Sequence, residues 1–185
     1  METPCSLSPT HFRDKPLSGR NRRLLHEWQM MDEGLSARSD IQWRVCRTNA
    51  EGLPISYMVD YYIHSICGVT DTEEKPIYAD RFRMQIDLPD AFPCIDGAPS
   101  FHFLIEDENG HIPHPWHPNI RFFGPMAGRV CLNRTDTYTD LVWSVKRIAT
   151  YLTYERYHAV NEPPYPEDQQ VAAWVIRKAE PNGWI

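Results

Sequence analysis

Polar and apolar positions alternate along four stretches of this chain. Phe82, Met84, Ile86 and Leu88 are separated by Arg83, Gln85 and Asp87. Ile41, Trp43 and Val45 alternate with Gln42 and Arg44, and Phe101, Phe103 and Ile105 with His102 and Leu104. Tyr57, Val59, Tyr61 and Ile63 mark a further run that can extend to Val69. A period of two predicts half-buried strands. Asn49 to Gly52 reads as a turn between the first two. Four strands in series with short connections pair most simply as an antiparallel meander.

Elsewhere the period lengthens. Leu24, Leu25, Trp28, Met31 and Leu35 share one helical face, with Ser18 as its cap and Gly34 as its expected stop. Leu141, Val145, Ile148, Ala149 and Leu152 form a second stripe, which Pro163, Pro164 and Pro166 end. Pro166 suits the first position of a last helix, with Glu167 and Asp168 in its first turn and Val171, Trp174, Val175 and Lys178 following. Between Leu88 and Arg129 lie Pro89, Pro93, Pro99, Pro113, Pro115, Pro118 and Pro125, so a long irregular loop is expected there. The predicted class is α+β: an N-terminal helix, a four-stranded meander, a long loop, then C-terminal helices packed on one face and the ends of the sheet.

The totals narrow the choice. The chain has 185 residues, 42% of them hydrophobic, and a net charge of −6. That size fits a single domain over 17–185 behind a flexible segment 1–16. The acidic balance disfavours a broad nucleic-acid surface. No run of apolar residues is long enough to span a membrane, and the N-terminus lacks the pattern of a secretory signal. Five cysteines without CxxC spacing point to reduced thiols and a cytoplasmic setting.

Candidate chemistry gathers in HPWHPNIRFFGPMAGRVCLN, residues 114–133. A stiff loop ending in a lone cysteine either buries a small hydrophobe or presents a nucleophile. Cys46 and Cys67 fall in strands, Cys5 in the tail, and Cys94 in a loop, which leaves Cys94 as the competitor of Cys131. His111, His114 and His117, with Cys94 and Cys131, also allow a zinc reading, although Pro113, Pro115 and Pro118 interrupt a shared ligand face. Arg20, Arg22 and Arg23 stand at the N-terminal end of the first helix, where the dipole disfavours cations. They form either a solvated face or a docking patch for an acidic partner.

Taken together, the helix and meander, FPCIDGAPSFHF, HPNI, GRVCL and a tryptophan-bearing helix resemble the ubiquitin-conjugating enzyme family over residues 18–178. Phe92-Pro93 and Ala98 to Phe103 match its stretch before the fourth strand loosely. His117, Pro118 and Asn119 match its HPN triplet, and Gly128 to Leu132 the setting of its catalytic cysteine. Trp143 matches the downstream tryptophan, and Asn161 to Pro164 the proline-rich stretch. The chain departs from the pattern at two places. Asn119 and Cys131 are twelve positions apart, a few more than usual, and the segment from Cys131 to Trp143 is also longer. This drift is similar to that of stand-alone bacterial conjugating enzymes found in operons with a ubiquitin-like protein, some of which act against phage.

The resemblance implies an acyltransferase. An activating enzyme would hand a ubiquitin-like protein to Cys131 as a thioester, and an amine of an acceptor protein would then take it. Asn119 would donate to the developing oxyanion or shape the loop. His117, Pro118 and Trp143 would support the site. Arg20, Arg22 and Arg23 would meet the activating enzyme. No small-molecule cofactor is implied, since the activating partner uses the ATP. The group that deprotonates the amine stays open among Asp136, Asp140, Asn161 and Glu162. The rival classes are a non-catalytic binding module on the same fold, the zinc protein and a thiol hydrolase.

Overall fold

In the computed structural model, residues 7–94, 96–132 and 140–185 are described. Ser18 caps α1 (Gly19–Leu35) by accepting from the Asn21 N–H. Strands β1 (Ile41–Thr48), β2 (Pro54–Tyr61), β5 (Phe82–Asp87) and β6 (Ser100–Phe103) form one antiparallel sheet in that order. A short ribbon of β3 (Ser65–Val69) and β4 (Pro76–Ala79) intervenes, and β7 (Glu106–Asp107) pairs with β8 (Gly110–His111). Helix α2 (Leu141–Leu152) follows, then α3 (Gln169–Trp174), which continues through a wider turn at Val175–Ala179. This is the α+β order expected from the sequence: an N-terminal helix, a four-stranded antiparallel sheet, a long loop and C-terminal helices.

The register explains why alternation was a good guide. Trp43, Val59, Met84 and Phe103 lie in one row across the sheet, and Val45, Tyr57, Ile86 and Phe101 in the next. Both rows meet the buried faces of α1 (Leu24, Trp28, Met31) and α2 (Leu141, Val145, Ile148, Leu152) in one apolar cluster. At Asn49 to Gly52 the turn is present. Asn49 Oδ1 accepts from the Leu53 N–H at 2.9 Å, and Gly52 takes a positive φ of 88°.

Several expectations need correction. Gly34 does not stop α1. It lies inside the helix where a Cβ would come within 2.5 Å of Val142 Cγ2, so its absence lets α1 and α2 close on each other. The second strand does not run to Val69. The chain leaves the sheet after Tyr61, and residues 65–69 join the separate ribbon. Pro166 is not the first residue of the last helix. Asp168 is the cap, accepting from the Gln170 and Val171 N–H groups, so α3 starts at Gln169. Apart from these corrections, Pro9–Phe12 form one tight turn upstream of α1, and Phe12 is buried beside Trp28.

Candidate active site

The long loop contains a second antiparallel pairing. The Cys131 N–H donates to the Asn119 carbonyl at 2.8 Å, the Arg121 N–H to Arg129 at 2.8 Å, and the Gly128 N–H to Arg121 at 2.7 Å. Ile120 bridges Val130. The twelve positions between Asn119 and Cys131 therefore close as a hairpin, and its ends are direct neighbours. The returning arm also pairs with β6, through Val130 N–H to the Phe101 carbonyl and Phe103 N–H to the Gly128 carbonyl. Gly128 has φ +94°, and a Cβ there would stand 2.0 Å from the Phe103 oxygen. Both the dihedral and the close approach demand glycine. The glycine before Arg129-Val130-Cys131 thus has a physical cause.

Three buried polar side chains hold the hairpin. Asn119, 1% exposed, accepts at Oδ1 from the His158 N–H at 3.0 Å. His117, also 1% exposed, accepts at Nδ1 from the Asn119 N–H and faces the Arg156 carbonyl with Nε2 at 3.2 Å. Its ring stacks on Tyr151 at 5.0 Å. Burial pushes its pKa down to about 3. The imidazole is therefore neutral, with the proton on Nε2, and both nitrogens are engaged. Asp168 Oδ2 accepts from the Phe122 and Phe123 N–H groups, while its Oδ1 caps α3. Its own N–H donates to the Pro118 carbonyl. Glu167 spans the hairpin, binding Arg121 at 3.3 Å and Arg129 at 2.5 Å.

The segment after α2 lies over these groups. Tyr154 adopts φ +55°, a left-handed position that favours glycine, and its hydroxyl donates to the Trp116 carbonyl. Burial raises its pKa well above the usual tyrosine value. A cavity of about 410 Å³ lined by Asn119, Arg147, Tyr151, Glu155, Arg156 and Tyr157 opens beside Asn119.

Cys131 is half-buried, with Sγ 3.9 Å from the Leu132 carbonyl. Cys94 is exposed in the turn that follows Pro89, and its N–H donates to the Ala91 carbonyl. Cys46 and Cys67 are half-buried in strands, and burial raises the Cys67 thiol pKa. Cys5 and Asp136 lie outside the described residues. Trp143 is half-buried in the first turn of α2, where its N–H meets the cap Asp140 Oδ1 at 2.6 Å. Asp140 is thereby committed as a helix cap. Asn161 and Glu162 are exposed, and the Glu162 carbonyl faces His158 Nε2.

The arginines of α1 divide. Arg22 is exposed and its side chain, among the described residues, bonds the Leu17 carbonyl at 3.4 Å, while Arg20 bonds the Pro89 carbonyl and lies 3.8 Å from Asp90. Arg23 binds Glu27 at 2.6 Å. Glu27 is fully buried, and its other oxygen accepts from the Leu141 N–H at the start of α2. Arg23 is thus half of an ion pair within α1 whose buried carboxylate also takes the first N–H of α2. Sequence reading missed this pair, because Glu27 sits on a face that otherwise reads as apolar.

The zinc reading finds no ligand set. Among the described residues no three His, Cys, Asp or Glu side chains gather to hold a metal. His114 stacks on Phe122 at 4.2 Å and faces its carbonyl, and His117 has both nitrogens engaged. No described helix is long and apolar enough to cross a membrane.

No protein-family model matches the chain, and no curated protein matches it. Among the solved structures that match is the crystal structure of ubiquitin conjugating enzyme E2 from Plasmodium falciparum. It shows 19% identity over 81% of this chain and 96% of that one, with a TM-score of 0.48. At these values the likeness bears on no residue and no activity.

Proposed function

We propose that the protein accepts a ubiquitin-like protein from an activating enzyme as a thioester on Cys131 and passes it to an amine of an acceptor protein. The observation that carries this reading is the direct pairing of Asn119 with Cys131. It makes neighbours of the two residues that match the family's asparagine and cysteine despite the long insertion. In loading, the Cys131 thiolate attacks the activating enzyme's thioester, whose thiolate leaves. In transfer, the acceptor nitrogen attacks the new thioester, loses a proton, and expels Cys131 as thiolate. An amide N–H of Asn119 donates to the oxyanion formed between these events, an interaction worth about 2.7–4 kcal/mol when such a donor is lost. His117 is a support in this scheme rather than a base, since its nitrogens hold the loop. Bacterial defence against phage is the proposed setting. The test is intact mass after mixing the protein with an activating enzyme, candidate ubiquitin-like proteins and ATP. A reducible adduct, absent in Cys131→Ala, is the expected result. No adduct from a demonstrably charged cognate activating enzyme would leave the binding-module reading in its place.

A further inference from the structure

The tip of the hairpin is built against the usual rule for a surface. Phe123, Gly124, Pro125 and Met126 are four consecutive exposed residues, none of them charged. Phe123 is 42% and Met126 46% exposed. A run of this kind weakens solubility unless something covers it. Nor is it a loose loop. The turn is closed by the Ala127 N–H to the Gly124 carbonyl at 3.1 Å and the Arg129 N–H to the Met126 carbonyl at 3.0 Å. Behind it, Asp168 holds the Phe122 and Phe123 N–H groups, and Glu167 ties both arms. Phe123 rests one side on Trp116, ring centroids 5.6 Å apart, and turns the rest outward. The scaffold thus fixes an apolar tip whose outer side has no partner among the described residues.

Position identifies the occupant. From Asn119 to Gly124 the arm advances five residue steps, so it reaches at most about 17 Å even if fully extended. Whatever is bonded to Cys131 through a flexible tail is within reach of that tip. We propose that Phe123 and Met126 form a contact surface for the ubiquitin-like protein while it is tethered at Cys131, an inference that rests on the function proposed above. A short tether supplies an effective concentration in the millimolar range. A contact too weak to detect between free proteins is then substantially occupied once the thioester forms. The adaptable methionine side chain suits such a surface. Holding the carried protein in one orientation would favour discharge and leave loading alone.

The experiment uses the ubiquitin-like protein that forms the Cys131 adduct in the mass measurement. Amide exchange of residues 122–127 is compared in the loaded and unloaded full-length protein. Loading and discharge to free lysine are timed for wild type, Phe123→Ser/Met126→Ser and Met126→Ser, the last keeping the Trp116 contact. The expected result is protection of the tip on loading, loading within twofold of wild type, and discharge slowed roughly tenfold in the double variant. A tip that exchanges equally in both states overturns the inference and leaves thioester carriage standing, as does a double variant that discharges at the wild-type rate. Protection that instead rises with the concentration of unloaded protein assigns the tip to a second copy and also overturns it. If no ubiquitin-like protein loads Cys131, both proposals fall together.

Discussion

The sheet and the 119–131 hairpin are both antiparallel, yet they are held by opposite means. The sheet is fixed by side chains of one kind, in apolar rows that run from Trp43 through Val59 and Met84 to Phe103. The hairpin is fixed by buried polar groups, each satisfied by a backbone partner: His117 by Arg156, Asn119 by His158 and Asp168 by Phe122 and Phe123. Apolar packing tolerates exchange of one aliphatic group for another. A buried polar network does not, because each loss leaves a buried donor or acceptor without its mate. The difference suits a scaffold that carries a site held in one geometry.

The largest expected break comes from acid. Burial holds the His117 pKa at about 3, against an ordinary value of 6.5. Between those values the unfolded chain binds a proton that the folded one refuses. Stability from this group is therefore full above about pH 6.5 and falls as pH drops, by at most about 4–5 kcal/mol near pH 3. His102 and His114, also lowered by burial, act in the same direction. Urea midpoints from pH 7 to pH 4 should fall, with a shallower slope in His117→Asn.

Next come the rigid points of the hairpin. Gly128→Ala forces a Cβ against the Phe103 carbonyl at a positive φ and should cost about 3 kcal/mol or more in a denaturant titration. Asp168→Ala strips the acceptor from two loop amides and from the α3 cap, and should cost about 2–3 kcal/mol. Substitution of Val59 by Ile within the sheet should cost less than either, about 1–2 kcal/mol. Equal costs for sheet and hairpin would erase the contrast.

The two neighbouring arginines give the finest test. Arg23→Glu places a like charge on buried Glu27 and should cost about 3 kcal/mol. Arg22→Glu should stay within about 0.5 kcal/mol of wild type and slow only the loading of Cys131. Unaltered loading by Arg22→Glu would remove Arg22 from the proposed docking surface.

The same contrast decides what could be read from the chain. Strand alternation and the apolar stripes of α1 and α2 were legible because burial imposes a period. The neighbourhood of Asn119 and Cys131 was legible only as motifs, since their pairing depends on a turn at Gly124 to Ala127 that no period announces. Asp168 was visible as an acidic residue near a helix start, but its grip on Phe122 and Phe123 is a contact across 46 and 45 positions. Gly34 carried a stop signal, and its actual use, a close approach to Val142, depends on a helix more than a hundred residues away.

In the proposed cycle one sulfur, that of Cys131, carries the acyl group. This is tested most directly by exchanging that sulfur for oxygen. With the wild-type protein, the adduct formed by activating enzyme, ubiquitin-like protein and ATP should be cleaved by excess thiol. In Cys131→Ser the adduct should resist thiol and be released by hydroxide, as an ester is. An adduct on Cys131→Ser that thiol still cleaves would rule out Cys131 as the carrier and move the chemistry to another cysteine, with exposed Cys94 the first to examine.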